Sequence, residues 1–203
     1  ARLPETRSRS SAAESAAKQR VDDLRENDRE VLEFLSQDPM THVAFQGIRR
    51  RLGMHPEKLS RALHRLADDD LVEKTDVGYR VTRRAREILS PREWAPGPAG
   101  VTVLRTYIPT RLDLRGLVTA LRGSWVGPLR WYGLSETADG LRLSWTLEDE
   151  SIRVEAQIAA GELAVVTHVE SSDRLDDATR LGHLLFREIA AEISRERYPG
   201  LVA

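Results

Sequence analysis

The chain has 203 residues, 40% hydrophobic and 31% charged, which suits one large or two small domains with well-solvated surfaces. It has no cysteine and no apolar run near the roughly 18 residues of a membrane span, so disulfides and thiolate chemistry are excluded and a cytoplasmic protein without membrane contact is expected. Its net charge of −1 is unevenly spread: residues 42–92 hold 12 Lys and Arg against 7 Asp and Glu, a balance that favours a polyanionic ligand.

The first segment, residues 1–26, is predicted to be a mobile tail followed by a helix. Ser11 and Glu14 have the spacing of a capping box, which places the helix over 12–26. Its apolar stripe is thin and rich in alanine, so we expect it to pack against a partner chain or the neighbouring domain.

Two short helices are predicted next, over 28–37 and 42–52, from apolar residues at helical spacing. Asn27 with Glu30 repeats the capping-box pattern at the start of the first helix. Thr41 is expected to cap the second helix, because a threonine side chain can accept from the free N–H groups of a first turn.

A more strongly patterned helix is predicted over 56–68. Gly53 is placed to end the helix before it, and Pro56 suits its first turn. The apolar residues predicted to face inward are Leu59, Ala62, Leu63 and Leu66.

Strands over 71–75 and 79–82 and a helix over 83–89 complete a domain assigned to residues 27–90. Residues 91–100 contain three prolines and two glycines and are predicted to be a linker.

Residues 101–203 are predicted to form a second, α+β domain: an antiparallel sheet with two helices on one face. Leu141, Leu143 and Trp145 alternate with polar residues, as in a sheet with one buried and one polar face. The predicted elements are strands over 101–108, 129–135, 140–148, 151–159 and 162–170, and helices over 112–122 and 174–197. Trp125, Trp131, Tyr132 and Trp145 are expected in the core, with a pocket lining as the alternative.

The order helix, glycine turn, helix, hairpin resembles the winged helix-turn-helix regulators of the MarR and ArsR kind. The matching residues include Leu52-Gly53 at the turn, Leu59-Ser60-Arg61 in the second helix and Gly78-Tyr79 in the hairpin. Asp70 departs from the pattern, because these families usually have glycine there, but aspartate tolerates the left-handed conformation. The second domain is similar in element order to one half of the TATA-binding protein, and no residues are carried over.

The resemblance implies a recognition helix over 56–68 that enters the DNA major groove. Arg61 is a candidate for a bidentate bond to guanine, and Glu57 for accepting from cytosine. The other candidate DNA contacts are basic or flank that helix: Arg49, Arg50, Arg51, His55, Lys58, His64, Arg65, Lys74 and Arg80.

These observations favour a transcription regulator that binds double-stranded DNA, is dimeric, and uses its second domain to sense a small-molecule or protein effector or to assemble. An adaptor whose winged helix docks proteins is the alternative. His42, His55, His64, His168 and His183 are not spaced as metal ligands, and no phosphate loop, nucleophile elbow or carboxylate dyad occurs. We therefore expect no enzymatic activity, no cofactor and no metal.

Overall fold

A computed structural model describes residues 25–89, 100–109, 111–138 and 140–197. Within these ranges the chain is mixed α+β, with six α-helices and a nine-stranded antiparallel sheet. The helices are α1 (Glu26–Gln37), α2 (Phe45–Leu52), α3 (Pro56–Asp68), α4 (Arg83–Ile88), α5 (Leu114–Leu121) and α6 (Leu175–Arg197). The strands are β1 (Thr41–Val43), β2 (Val72–Lys74), β3 (Tyr79–Val81), β4 (Val101–Tyr107), β5 (Trp125–Val126), β6 (Leu129–Thr137), β7 (Gly140–Thr146), β8 (Ile152–Ala159) and β9 (Glu162–Val169). Almost all of the predicted helix over 12–26, and the predicted linker before Gly100, lie outside the described residues.

The starts of the first two helices differ from the sequence prediction. Arg25, not Asn27, occupies the cap position of α1, and it makes no side-chain capping bond. Thr41 does not cap α2: it lies in β1, and its hydroxyl is 2.6 Å from an Asp38 carboxylate oxygen. The strand was missed because three residues carry too little periodicity, and its pairing partners lie far away in sequence.

The turn between α2 and α3 was predicted correctly. Gly53 ends α2 in the left-handed conformation, with a φ of 61°, and its N–H donates to the Arg50 carbonyl. Pro56 occupies the first turn of α3, and the four residues predicted to face inward are buried. Asp70 is left-handed, with a φ of 57°, as the comparison with glycine at this position implied.

The nine strands form a single sheet that crosses the predicted domain boundary. Its order is β2-β3-β1-β6-β7-β8-β9-β4, and β5 pairs with β6 outside this path. β1 joins the two halves: Val43 is in register with Tyr79 of β3 on one side and with Gly133 of β6 on the other. Strand pairing through β1 therefore joins the residues on the two sides of the predicted linker in one sheet.

Two hydrophobic cores lie within this fused architecture. One is built from α1, α2, α3, the β2–β3 hairpin and α4, and includes Tyr132 of β6. Gly47 of α2 packs tightly at this contact: a Cβ atom there would lie 3.2 Å from the Tyr132 carbonyl oxygen and 3.3 Å from its ring, so the neighbours would have to shift slightly. The N–H of Ala44 donates to the same carbonyl at 2.8 Å.

The second core lies under the sheet formed by β6, β7, β8, β9 and β4. Leu117 of α5, Leu185 of α6 and the strand residues Leu143 and Trp145 belong to it, which confirms that both helices pack on one face. Trp131 and Trp145 meet edge to face with ring centroids 5.1 Å apart. Trp125 was also expected in the core, but it is 71% exposed, so that prediction is wrong.

The opposite face of the sheet is polar, as predicted, but much of it is buried. Ser144, Thr146 and Glu155 point away from the second core and are at most 4% exposed. Burial alone would raise the pKa of the Glu155 carboxyl. Its pKa is nevertheless lowered, by the hydrogen bond and charge of His168 and by the charges of Arg142 and Arg153.

Candidate nucleic-acid interface

Helix α3 presents one face to the core and the other to solvent. Its inner side chains repeat at intervals of three and four residues and are at most 2% exposed. Glu57, Lys58, Arg61 and His64 all lie on the outer side and are exposed. The outer face of α3 at its N-terminal half is therefore exposed to solvent.

His55 forms the N-terminal cap of α3. Its Nδ1 accepts from the Glu57 N–H at 3.4 Å, and Pro56 fills the first helical position, where no N–H is needed. The imidazole stays exposed. His55 is thus placed beside the candidate contact face, while one of its ring nitrogens is occupied in capping.

Glu57 and Arg61 form an ion pair one turn apart on the outer face of α3. Both side chains remain more than 60% exposed, so water screens the attraction and the pair is worth only about 0.3 to 0.5 kcal/mol. The guanidinium and the carboxylate are thus held together at the surface, where either can exchange partners at small cost.

Arg65 does not lie on the contact face, contrary to the prediction. Its guanidinium donates from Nε and Nη2 to the two carboxylate oxygens of Asp28 on α1, at 2.8 and 2.5 Å. Asp28 is buried, and a carboxylate in that position requires a paired cation. Arg65 therefore fastens α3 to α1.

The three consecutive arginines of α2 point in three directions. Arg49 donates to Gln46 at 2.7 Å, and Arg51 is exposed. Arg50 is 7% exposed: it lies 3.3 Å from the Glu150 carboxylate and donates to the Trp131 carbonyl at 3.2 Å and the Thr146 hydroxyl at 3.4 Å. Its predicted phosphate contact is wrong, because a helix with 3.6 residues per turn cannot point three successive side chains the same way.

The hairpin keeps one exposed cation and loses another to an internal pair. Lys74 is exposed and lies 5.9 Å from the centre of the Tyr79 ring. Arg80 is 33% exposed and pairs with Glu73 on the neighbouring strand. At the hairpin tip, Asp76 accepts from Arg122 at 2.9 Å, so the tip is tied to the end of α5.

Sequence reasoning missed a further group of residues close to this surface: Arg122, Trp125 and Arg130. Trp125 and Arg130 are cross-strand neighbours, because Gly127 and Pro128 make a two-residue turn between β5 and β6. The Gly127-Pro128 pair, flanked by apolar residues, could have predicted this turn from the sequence. No sequence pattern predicts the ion pair between Arg122 and Asp76, which lie 46 residues apart.

No family model, curated protein or solved structure matches the chain. Within the described ranges, no helix is long and apolar enough to cross a membrane. The same residues contain no group of three or more His, Asp or Glu side chains arranged to hold a metal ion.

Proposed function

We propose that this chain is a transcription regulator that binds double-stranded DNA through a winged helix-turn-helix, with α3 as its recognition helix. The proposal depends on one observation: the N-terminal half of α3 is exposed with Glu57, Lys58 and Arg61 on its outer side, while its inner side is buried. A helix in this setting, after a short turn and before a hairpin, is the element that enters the major groove in helix-turn-helix proteins.

Within that proposal the exposed residues have different roles. Arg61 donates to guanine, and Glu57, held next to it, accepts from the cytosine amino group. Lys58, Arg51 and Lys74 contact phosphates, which fix the protein on the duplex without reading its sequence. Arg50 and Arg65 take no part, since each is held by a carboxylate that is at most 10% exposed. Arg80, which is 33% exposed and paired with Glu73, is given no role.

The other parts of the proposal concern assembly and regulation. A homodimer would read two half-sites about one helical turn apart, as regulators of this kind do. The sheet domain would receive a small-molecule or protein effector or mediate assembly, and the protein would act in the cytoplasm.

A protein-docking adaptor is the second candidate, and one feature favours it. Several cations near α3 are already paired within the chain, including Arg61 with Glu57 and Arg80 with Glu73. Each such carboxylate lowers the positive potential that a phosphate backbone would meet. An adaptor with this surface would bind proteins without salt-sensitive binding to duplexes.

Fluorescence anisotropy on duplexes selected from a random library, and on scrambled duplexes, separates the two candidates. For the regulator, affinity falls steeply with salt, and Arg61→Ala weakens binding to the selected duplex by about 1 to 3 kcal/mol but much less to scrambled DNA. Arg180→Ala is the matched control, because Arg180 also sits in a short-range ion pair, on α6, and is 81% exposed. A folded protein without salt-dependent binding to any duplex would rule out the regulator and leave the adaptor.

A further inference from the structure

Trp125 is an exposed tryptophan with a cation stacked on it. It is 71% exposed, and the guanidinium carbon of Arg130 lies 3.8 Å from the centre of its ring. Arg130 also donates to the Gly127 carbonyl at 3.0 Å, which holds the stack in one geometry. Its approach to Glu148 is looser, at 3.7 Å, and that carboxylate is 67% exposed. The Arg130 side chain itself is 23% exposed, so the stack is an ordered surface feature in which a partly buried cation covers one face of an exposed ring.

This stack lies next to the end of α2 that leads into α3. Arg130 is in register with Thr146, and the Thr146 hydroxyl accepts from Arg50 of α2. Arg51, the next residue of α2, is exposed, and α3 begins only five residues later at Pro56. Arg130 is thus linked, through Thr146 and Arg50, to the helix that leads into α3.

The hairpin tip is tied to a residue close in sequence to the stack. Arg122 pairs with Asp76 at the tip and precedes Trp125 by three residues. The stack is therefore linked through Arg122 to the hairpin and through Thr146 to α2, the two elements that flank α3 in the chain. Lys74 and Arg51 add exposed positive charge on these two elements.

We propose that Trp125 and Arg130 form a second contact region for the duplex held by α3, gripping the phosphate backbone that flanks the base-reading site. This inference rests on the proposed function. The guanidinium covers one face of the indole, which reduces the apolar area that a protein partner would bury. Its remaining N–H groups suit a phosphate, because a guanidinium can donate two parallel bonds to one anion.

The test compares a short duplex, which covers only the site read by α3, with one extended by about 10 base pairs, one helical turn, on each side. Arg130→Ala should weaken binding to the long duplex and lower its salt slope by about one, and leave the short duplex unaffected. Trp125→Ala should also weaken binding to the long duplex selectively. Arg130→Lys should restore most of the salt slope, because it keeps the charge.

The matched controls are Tyr107→Ala and Arg105→Ala on the far edge strand β4, where the side chains are 87% and 63% exposed. These variants should bind both duplexes like the unaltered protein. Two results would overturn the second contact region and leave the proposed function standing. In the first, the variants lose affinity equally for the two duplexes. In the second, neither Trp125→Ala nor Arg130→Ala loses affinity, while Arg61→Ala still weakens binding. No binding of the unaltered protein to either duplex would overturn both.

Discussion

The Arg50 guanidinium lies 3.3 Å from the Glu150 carboxylate, and both side chains are at most 10% exposed. This pair joins the helix before α3 to the loop after β7. A cation that a sequence pattern assigns to phosphate binding thus holds the two parts of the chain together.

The first prediction concerns the stability supplied by this pair. Arg50→Ala leaves the Glu150 carboxylate buried without its cation, so we expect a loss of about 3 to 5 kcal/mol in the free energy of unfolding. Urea denaturation measures the change. Arg51→Ala, which alters the neighbouring exposed arginine, should change stability by no more than about 0.5 kcal/mol. Equal free energies of unfolding for the two variants would contradict the conclusion that the buried Arg50–Glu150 pair stabilises the fold.

The second prediction concerns the junction between the halves of the chain. If a protease site is inserted between residues 91 and 99 and cleaved, we expect the two pieces to stay associated. β1 remains paired with β6, and Asp38 still accepts from Arg142 at 2.9 Å. Size-exclusion chromatography of the cleaved protein measures this directly.

Gly133→Ala supplies the control for the junction. A side chain at Gly133 would lie 2.3 Å from the His42 carbonyl oxygen, so β1 could not keep its register with β6. The cleaved Gly133→Ala protein should separate or lose structure. Separation of the unaltered cleaved protein into two stably folded pieces would show that the halves are independent.

The third prediction concerns pH. Burial and the positive charge of Arg80 lower the pKa of His42 below its ordinary value of 6.5. In the unfolded chain His42 takes up its proton near 6.5, so between that value and its lower folded pKa the unfolded state binds more protons. The stability that neutral His42 contributes is full above pH 6.5 and declines as the pH falls through this window.

His42→Gln should flatten this part of the curve of unfolding free energy against pH, because it removes the titrating group. A His42→Gln curve that keeps the same slope in this window would assign the effect to other groups.

The fourth prediction concerns the strained turn after α3. Asp70 adopts a left-handed conformation, which costs a residue with a side chain about 1 kcal/mol relative to glycine. Asp70→Gly should therefore raise the melting temperature, because the 3.7 Å contact with Arg84 that it loses is exposed and weak. Asp70→Ala should lower it, since alanine keeps the strain without the polar side chain.

Local patterns predicted most of the elements correctly and the assembly less well. The inward face of α3, the ending of α2 at Gly53 and the alternation along β7 follow from neighbours within a few residues, which a sequence shows directly. The pairing of β1 with β6, the inward turn of Arg65 to Asp28 and the burial of Arg50 join residues that lie far apart in the chain. No local pattern encodes such contacts, and for this reason two of the expected DNA-facing arginines, Arg50 and Arg65, were misplaced.

The register between Thr41 and Ser135 also bears on how the chain is made. About 90 residues separate the two strands, and at roughly 5 to 20 residues per second a ribosome needs several seconds to synthesise that interval. Until β6 emerges, one edge of β1 has no strand to pair with, and Arg50 has no carboxylate at position 150. The N-terminal helices can thus collapse early, but they reach their final arrangement only after synthesis has passed residue 150, so a nascent chain stalled before that point would not present α3 as the complete protein does.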